Sequence, residues 1–276
     1  MLTCFRGCAP GLKRPALGRR GLFAGALAAA TLPLNAPRAQ TPAADPALIE
    51  DVAAANRILY DQGVVDGFGH VSARHGKDPN RYLLARSMAP ALVTAADIIT
   101  YDLDSNAIDA NERVSYLERF IHGEIYKARP DVMAIVHSHS PAVLPFANTK
   151  VALKPMNHIA GFLGSGPPVF EIRATAGEDS DMLIRNAGLG RALARSMGDN
   201  AIVLMRGHGS VAAAQSVKHV VFRAIYTEVN ARAALQSLSL GETTFLNARE
   251  AAAAMKTNDG LVERPWALWK QKVMPK

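Results

Sequence analysis

The sequence predicts one layered α/β domain in which helices cover the faces of a mixed, largely antiparallel sheet. Three observations support this prediction. Short apolar or β-branched runs of strand length alternate with longer segments of helical periodicity. Several of the strands are short and lie at hairpin spacing, which favours antiparallel pairing. The chain length of 276 residues is sufficient for one full hydrophobic core.

The predicted elements follow in chain order. The first helix begins at Asp45-Pro46, because an N-cap residue is followed by proline at the first helical position, and it ends near Gly63. Further helices are predicted over 116–128, 179–197 and 216–238. Strands are predicted over 71–74, 82–85, 98–103, 132–139, 169–172 and 201–205. Pro130 ends the second helix, and the β-branched run after it gives the clearest strand.

The positive charge of the protein is concentrated in residues 1–39. This segment contains six basic residues and no acidic residue, whereas the whole chain has a net charge of +7. Residues 40–276 therefore have a net charge of only +1. A nucleic-acid-binding domain needs its positive charge on the folded body, so the sequence argues against a nucleic-acid partner.

The same segment has the pattern of an export signal. Arg19-Arg20 precede a mild apolar stretch over residues 21–34, and small residues follow up to Ala39. The adjacent arginines favour twin-arginine export, and therefore a periplasmic protein. About 14 apolar residues are too few to span ~30 Å of hydrocarbon, so no permanent membrane span is expected. The alternative is a mis-assigned N-terminus on a cytoplasmic protein.

The remaining chain divides into three predicted parts. Residues 40–45 form a linker, 46–240 form the catalytic domain, and 241–276 form a helical extension. Cys4 and Cys8 both lie in the predicted export signal, so the body of the protein has no cysteine. This excludes thiol catalysis and disulfide bonds there.

Three histidines have the spacing of metal ligands. His137 and His139 close the predicted strand 132–139 and share one of its faces, with their Cα atoms ~6.5–7 Å apart. His208 follows a second apolar strand and lies between two glycines, where the backbone can approach a site closely. Three imidazoles with an open position are typical of a catalytic metal site. The alternative is a set of local hydrogen bonds at a strand edge.

The other histidines lack a comparable pattern. His75 and His219 are expected at the surface, and His158 is expected to line a pocket. His122 lies within the predicted helix 116–128 and has no comparable setting.

Six ordered motifs resemble the class II aldolase/adducin family over about residues 46–240. These motifs occupy residues 69–74, 96–104, Glu118 at a helix start, 129–132, 137–141 and 206–209. The resemblance implies a three-layer α/β/α sandwich around a mixed sheet. It also implies a homotetramer with active sites at the subunit interfaces.

The resemblance assigns roles to the histidines and to Glu118. It implies that His137, His139 and His208 bind a divalent metal, and that Glu118 binds the ion or acts as acid or base. Imidazole ligands suit Zn²⁺ first, with Mn²⁺, Fe²⁺ or Co²⁺ as alternatives. A dication of this kind stabilises the enolate that carbon–carbon bond cleavage leaves behind.

Three departures from the family pattern bear on the substrate. The sugar-phosphate aldolases of this family bind phosphate with a Gly-Asn turn, a Ser-Gly pair and a Ser-Ser pair. Here those positions are Gly69-His70, Ser87-Met88 and Tyr116-Leu117. Because hydroxyl groups that would hydrogen-bond phosphate are lost, the predicted substrate is a small, non-phosphorylated carboxylic acid.

The segments 69–74, 116–123 and 223–230 are more similar to the decarboxylase branch of the family. That branch acts on hydroxy- or oxo-carboxylic acids of aromatic catabolism, including dihydroxyphthalate-type substrates. The predicted function is therefore a metal-dependent carbon–carbon lyase, specifically a decarboxylase. The alternatives are an aldolase or epimerase acting on a non-phosphorylated hydroxy acid, and a non-catalytic adducin-like binding domain.

Substrate contacts are predicted for four residues, His70, Ser72, Arg86 and Ser87. Arg86 is either a bidentate clamp for a carboxylate or an exposed surface residue. The proton required by the reaction is expected from Glu118 or Tyr226. For Tyr226, which lies within the predicted helix 216–238, the alternative is a packed core residue.

Overall fold

A seven-stranded mixed sheet forms the middle layer of the protein in a computed structural model that describes residues 42–274. The strands are β1 (His70–Arg74), β2 (Arg81–Ala85), β3 (Ile98–Asp102), β4 (Ala134–Ser138), β5 (Val169–Phe170), β6 (Ile202–Met205) and β7 (Gly209–Ala214). Their spatial order is β3-β2-β1-β4-β7-β6-β5, and only β5 and β6 pair in parallel. The predicted mixed, largely antiparallel sheet is confirmed. The predicted export signal over residues 1–39 lies outside the described residues.

Helices cover both faces of the sheet. They are α1 (Pro46–Asp61), α2 (Phe120–Ala128), α3 (Leu144–Asn148), α4 (Arg173–Ala176), α5 (Ala187–Met197), α6 (Val217–Leu240), α7 (Ala248–Asp259) and α8 (Glu263–Val273). One core lies between the sheet and α1, α6 and α8, and a second lies between the sheet and α2 and α5. Along β4, Val136 packs into the first core and Ile135 into the second, as strand alternation requires. The three-layer α/β/α architecture is thereby confirmed.

Helix α1 begins where the sequence predicts. The side chain of Asp45 accepts a hydrogen bond from the Ala47 N–H at 3.0 Å, and Pro46 occupies the first turn. Ile58 and Leu59 are fully buried against the sheet. The chain leaves the helix at Gly63, whose φ of 69° is readily adopted by glycine.

The predicted helix over 179–197 is wrong in its first half, because α5 begins only at Ala187. The Asn186 side chain accepts a hydrogen bond from the Leu189 N–H at 3.0 Å and so starts the helix there. Residues 177–186 instead form a loop that contacts the functional site. The predicted strand over 169–172 also shortens, since it ends after Phe170.

Strand β7 has no counterpart in the sequence prediction. It lies between β4 and β6 near the middle of the sheet and is buried along its whole length. Its sequence is rich in alanine, which has a low intrinsic preference for strands. Pairing with strands on both sides overrides that preference, and Met205 pairs with Gly209 across the tight β6–β7 connection.

The residues after α6 form helices α7 and α8. Helix α8 packs against α1, where Lys270 pairs with Asp51 at 2.6 Å, and it buries Trp266 and Trp269. Between residues 42 and 274, no helix combines the length and apolar character needed to cross a bilayer.

Candidate metal centre and adjoining cavity

His137 lies on β4 and is fully buried, on the same face of the sheet as Ile135. Its Nδ1 is 3.1 Å from the carbonyl oxygen of Ser210 on β7. Because a carbonyl can only accept, Nδ1 donates the hydrogen in this contact. The ring is therefore fixed with the lone pair of Nε2 directed away from β7.

His208 is placed by the tight turn between β6 and β7. Gly207 has a φ of 67°, and any side chain at Gly209 would collide with the carbonyl of Ser138. The two glycines therefore allow this turn to lie against the end of β4. His208 Nδ1 donates to the carbonyl oxygen of Met182 at 3.0 Å, so its Nε2 also presents a lone pair.

Glu118 belongs to a short 3₁₀ turn, Leu117–Arg119, that precedes α2. The predicted continuous helix over 116–128 is corrected here, because Glu118 has φ −91° and ψ 17°, outside helical geometry. Its side chain is buried, whereas its neighbour Leu117 is exposed. Glu118 Oε1 accepts a hydrogen bond from the Ile184 N–H at 2.8 Å, which leaves Oε2 free to face the histidines.

These elements bring four side chains together, Glu118, His137, His139 and His208, with their ligand atoms all within 4.8 Å of one another. His139 Nε2 is 3.1 Å from His137 Nε2 and 3.0 Å from His208 Nε2. Glu118 Oε2 lies 3.4 Å from His137 Nε2 and 3.3 Å from His208 Nε2. Ligand atoms at the corners of a zinc tetrahedron are separated by about 3.3 Å, given metal–ligand bonds of ~2.0–2.1 Å.

The chemistry of this donor set fits a divalent cation. The Nε2 atoms of His137 and His208 both present lone pairs, and the Nε2 of His139 can supply at most one hydrogen to them. At least one lone pair therefore has no donor among these rings. A dication satisfies all three nitrogens and the carboxylate together.

Electrostatics keep the carboxylate of this site ionised. Burial is the largest influence on the pKa of Glu118 and raises it. The neighbouring His137 and His208 rings together outweigh burial, so the pKa of Glu118 lies below its usual range. Burial, with His137 and His208 adding to it, lowers the pKa of His139 to about 4. An ionised carboxylate and a neutral imidazole are the forms that bind a metal.

A cavity of about 310 Å³ adjoins the cluster and is lined mainly by apolar side chains. Its lining residues are Gly67, Phe68, Gly69, His70, Ser87, Met88, Ala89, Tyr116, Leu117, Glu118, His139 and Leu183. No Lys or Arg of residues 42–274 is among them. A ligand in this cavity would therefore contact the candidate metal ligands on one side and an uncharged wall on the other.

The predicted substrate residues have different positions relative to this cavity. His70 and Ser87 line it. Ser72 does not, because it is fully buried behind His70. Arg86 also does not line the cavity, and its Nε donates to Asp97 Oδ1 at 2.7 Å. Arg86 therefore forms a half-exposed ion pair with Asp97 in place of the predicted carboxylate clamp.

Tyr226 does not line the cavity either. Its ring lies on α6, 4.6 Å from the ring of Phe222 and 6.3 Å from that of Trp269. These contacts belong to the core formed with α1, α6 and α8, whereas His137 faces the opposite side of the sheet. Within one chain, Tyr226 is therefore a packing residue, and its predicted role as proton donor stays a prediction.

Behind His70 lies a set of four hydrogen-bonded side chains, Tyr126, Ser72, His122 and His70, here called the buried relay. Tyr126 OH is 2.8 Å from Ser72 Oγ, and Ser72 Oγ is 2.6 Å from His122 Nδ1. His122 Nε2 is in turn 2.7 Å from His70 Nδ1. None of these side chains is more than 3% exposed.

Burial keeps the members of the relay uncharged. It lowers the pKa of His122 to about 3, with a further contribution from His137. Burial, followed by the neighbouring His122 and His137, also places the pKa of His70 well below its usual value. Burial raises the pKa of Tyr126, so its hydroxyl retains its hydrogen.

His122 and Tyr126 are members of the site that the sequence motifs do not indicate. The available signal was their spacing, since residues four apart on a helix lie on the same face. His75 was expected at the surface but is only 2% exposed, and its Nδ1 accepts from the backbone N–H groups of Lys77 and Asp78. His158 is exposed and does not line the cavity.

Comparison with known proteins identifies relatives over most of the chain. Residues 50–235 match the model of the Class II Aldolase and Adducin N-terminal domain. Decarboxylase tropJ of Talaromyces stipitatus is 35% identical over 239 residues, which cover 78% of this chain and 90% of that protein. The 3,4-dihydroxyphthalate decarboxylase of Arthrobacter keyseri is 33% identical over 207 residues, covering 70% of this chain and 79% of that protein.

A solved structure has a similar fold. The L-fuculose 1-phosphate aldolase of Glaciozyma antarctica superposes with a TM-score of 0.68, covering 83% of this chain and 88% of that one. Its sequence identity to this chain is 21%, so the similarity concerns the fold alone.

Proposed function

The chain belongs to the class II aldolase and adducin family, and we propose that it is a divalent-metal-dependent decarboxylase of a non-phosphorylated hydroxy- or oxo-carboxylic acid. The observation on which this proposal rests is the cavity in which Glu118 and His139 adjoin an uncharged, largely apolar wall. The names of two relatives, a decarboxylase and a 3,4-dihydroxyphthalate decarboxylase, support the reaction type.

The lining of the cavity supports a substrate with an apolar body and no phosphate. Phosphate is usually bound by Arg or Lys together with several hydrogen-bond donors. No Lys or Arg of the described residues lines this cavity, and Phe68, Tyr116 and Leu183 offer aromatic and aliphatic contacts. An aromatic or otherwise planar acid of moderate size suits such a lining and a volume of about 310 Å³.

The reaction breaks the bond between a carboxylate and its neighbouring carbon, and carbon dioxide leaves. The electron pair stays on the carbon until a proton is added there. A dication held by the three histidines, beside Glu118, would supply Lewis-acid stabilisation of this developing negative charge, worth several kcal/mol.

Side chains of the protein then have two tasks. Glu118 Oε2 is the proton carrier that we propose, because Oε1 is held by the Ile184 N–H while Oε2 faces the cluster. As a carboxylate it can take a proton from a substrate hydroxyl group and return it to the carbon. The apolar lining excludes water from the reacting carbon, as Phe68 and Leu117 lie at the rim of the cavity.

The same residues could serve a retro-aldol reaction, in which a base removes a hydroxyl proton and an aldehyde leaves. Glu118 is placed to act in either reaction, so the products have to distinguish them. We also propose that the bound metal is zinc and that the protein is a homotetramer. Twin-arginine export would place it in the periplasm.

The test combines metal analysis with product analysis. Purified protein is assayed for bound metal, then incubated with 3,4-dihydroxyphthalate, from which carbon dioxide is measured, and separately with a non-phosphorylated 4-hydroxy-2-oxo acid, from which aldehyde is measured. We expect stoichiometric zinc and carbon dioxide without aldehyde. His139→Ala should lose both the metal and carbon dioxide release. The matched control His158→Ala changes an exposed histidine outside the cavity and should keep both.

Each other outcome contradicts a specific part of the proposal. Carbon dioxide release by the His139→Ala protein would remove the metal-dependent mechanism. Aldehyde without carbon dioxide would identify an aldolase. A wild-type protein with neither bound metal nor product would favour an adducin-like binding domain.

A further inference from the structure

The hydrogen-bond directions within the buried relay follow from the hydroxyl group of Tyr126, which lies at the end opposite His70. Among the described residues, Ser72 Oγ is the single hydrogen-bond partner of the Tyr126 hydroxyl. Tyr126 is 1% exposed, and a buried hydroxyl hydrogen without an acceptor costs about 1–3 kcal/mol. Tyr126 therefore donates to Ser72.

The remaining directions follow in sequence. Because Ser72 Oγ accepts from Tyr126, its own hydrogen is donated to His122 Nδ1. A neutral imidazole that accepts at Nδ1 has its hydrogen on Nε2, so His122 Nε2 donates to His70 Nδ1. By the same rule, His70 has its hydrogen on Nε2.

The opposite set of directions is less favourable. If His70 donated to His122 and His122 to Ser72, then Ser72 would donate to the Tyr126 oxygen. The Tyr126 hydrogen would then have no acceptor within the described structure. A third arrangement, in which the His70–His122 pair binds an extra proton, is also unfavourable because it would place an unpaired charge among buried side chains.

We propose that Ser72 and His122 fix His70 as its Nε2–H tautomer, which presents a neutral hydrogen-bond donor to a carboxylate oxygen of the substrate. His70 lines the cavity, and no described residue is hydrogen-bonded to its Nε2. His70 is thus a substrate-binding residue, and Ser72 and His122 are positioning residues. The identity of the acceptor as a carboxylate rests on the proposed function, whereas the tautomer does not.

A neutral donor suits a group that has to lose its charge. A carboxylate held by Arg or Lys is stabilised as an anion, and breaking its bond to carbon would sacrifice that ion pair. His70 can orient the carboxylate by one hydrogen bond and leave the wall of the cavity uncharged. The relay thereby selects substrates that present an acceptor oxygen at His70.

The tautomer is tested by nitrogen-15 NMR of the full chain labelled at histidine. Two-bond proton–nitrogen correlations distinguish a protonated ring nitrogen from an unprotonated one, and His70→Gln assigns the His70 signals. We expect a protonated Nε2 and an unprotonated Nδ1 at neutral pH. A protonated Nδ1 in the wild-type protein would overturn the proposal, whether or not any variant folds.

Two matched hydroxyl deletions test the role of the relay. Ser72→Ala removes the donor to His122 Nδ1, so both tautomers of His70 should become populated and its two nitrogen shifts should move towards their average. Tyr126→Phe leaves Ser72 with His122 as its one partner, so the His70 shifts should stay in place. Unchanged His70 shifts in Ser72→Ala would show that the relay does not select the tautomer.

The substrate contact is tested with benzoate as the probe, titrated into zinc-loaded protein. Removing one hydrogen bond to a charged group should weaken binding at least tenfold in His70→Leu. His70→Gln retains a side-chain N–H and should bind within about threefold of wild type. Equal binding by wild type and His70→Leu would overturn the contact. Neither measurement involves turnover, so a failure here is distinguishable from a failure to release carbon dioxide.

Discussion

The candidate metal centre and the buried relay are adjacent clusters of four side chains with opposite hydrogen-bond chemistry. His137 and His70 connect them, with ring centroids 5.1 Å apart. In the candidate metal centre, the lone pairs of His137 and His208 converge on His139, and a cation would complete the arrangement. In the relay, donors and acceptors alternate, and every hydrogen except the one on His70 Nε2 has an acceptor among the four side chains.

This difference separates two kinds of active-site residue. We propose that the metal centre is completed by an added ion, and its energetics would then depend on metal binding. The relay is complete without a ligand, so it can hold His70 in place before the substrate arrives. The two clusters should therefore respond to different perturbations.

The largest expected effect concerns metal binding. In wild-type protein, zinc at a thousand times its dissociation constant should raise the free energy of unfolding by about 4 kcal/mol, because only the folded state holds the site. His208→Ala should lose this gain. Urea unfolding with and without zinc measures it. Tyr126→Phe removes one hydroxyl group of the relay and leaves the metal ligands intact, so it should retain the gain. A full zinc response in His208→Ala would contradict the site.

The second effect concerns acid stability and the relay. His122 has a folded pKa of about 3 against a usual value of 6.5, so the unfolded chain binds its proton first as the pH falls. Stability contributed by neutral His122 is present above pH 6.5 and is lost as the pH falls towards 3. The loss from this one group is at most about 1.4 kcal/mol per pH unit.

The measurement is urea unfolding of zinc-free protein between pH 7 and pH 5. His122→Gln cannot bind that proton, so its stability should fall less steeply with decreasing pH than that of wild type. His158→Ala, which changes an exposed histidine, should keep the wild-type slope. Parallel curves for wild type and His122→Gln would contradict the depressed pKa.

The smallest effect concerns Arg86, which belongs to neither cluster. Its side chain is 41% exposed and pairs with Asp97, and such pairs contribute about 0–1 kcal/mol. Arg86→Ala should therefore change the free energy of unfolding by less than about 1 kcal/mol. In the carbon dioxide assay its KM should stay within about twofold of wild type. A tenfold rise in the KM of Arg86→Ala would instead support the role as a carboxylate clamp that the sequence suggested.

The metal centre was accessible to sequence analysis because its signals are local. His137 and His139 are two positions apart on one strand, and His208 lies between glycines at the end of another. The relay has no such signal, because Ser72 and His122 are 50 positions apart and meet only when α2 packs on β1. The loop over 177–186 was predicted as helix, yet its Met182 carbonyl orients His208.

The sequence by itself determined the mixed sheet, most of its strands and the residue types at the ends of β4 and β6. These follow from periodicity and turn residues, which act over a few neighbouring positions. The tertiary structure decided that Glu118 turns inward, that Ala-rich β7 enters the sheet, and that Arg86 and Tyr226 stay outside the cavity. Those outcomes depend on contacts between distant segments, where packing and hydrogen-bond satisfaction outweigh local preference.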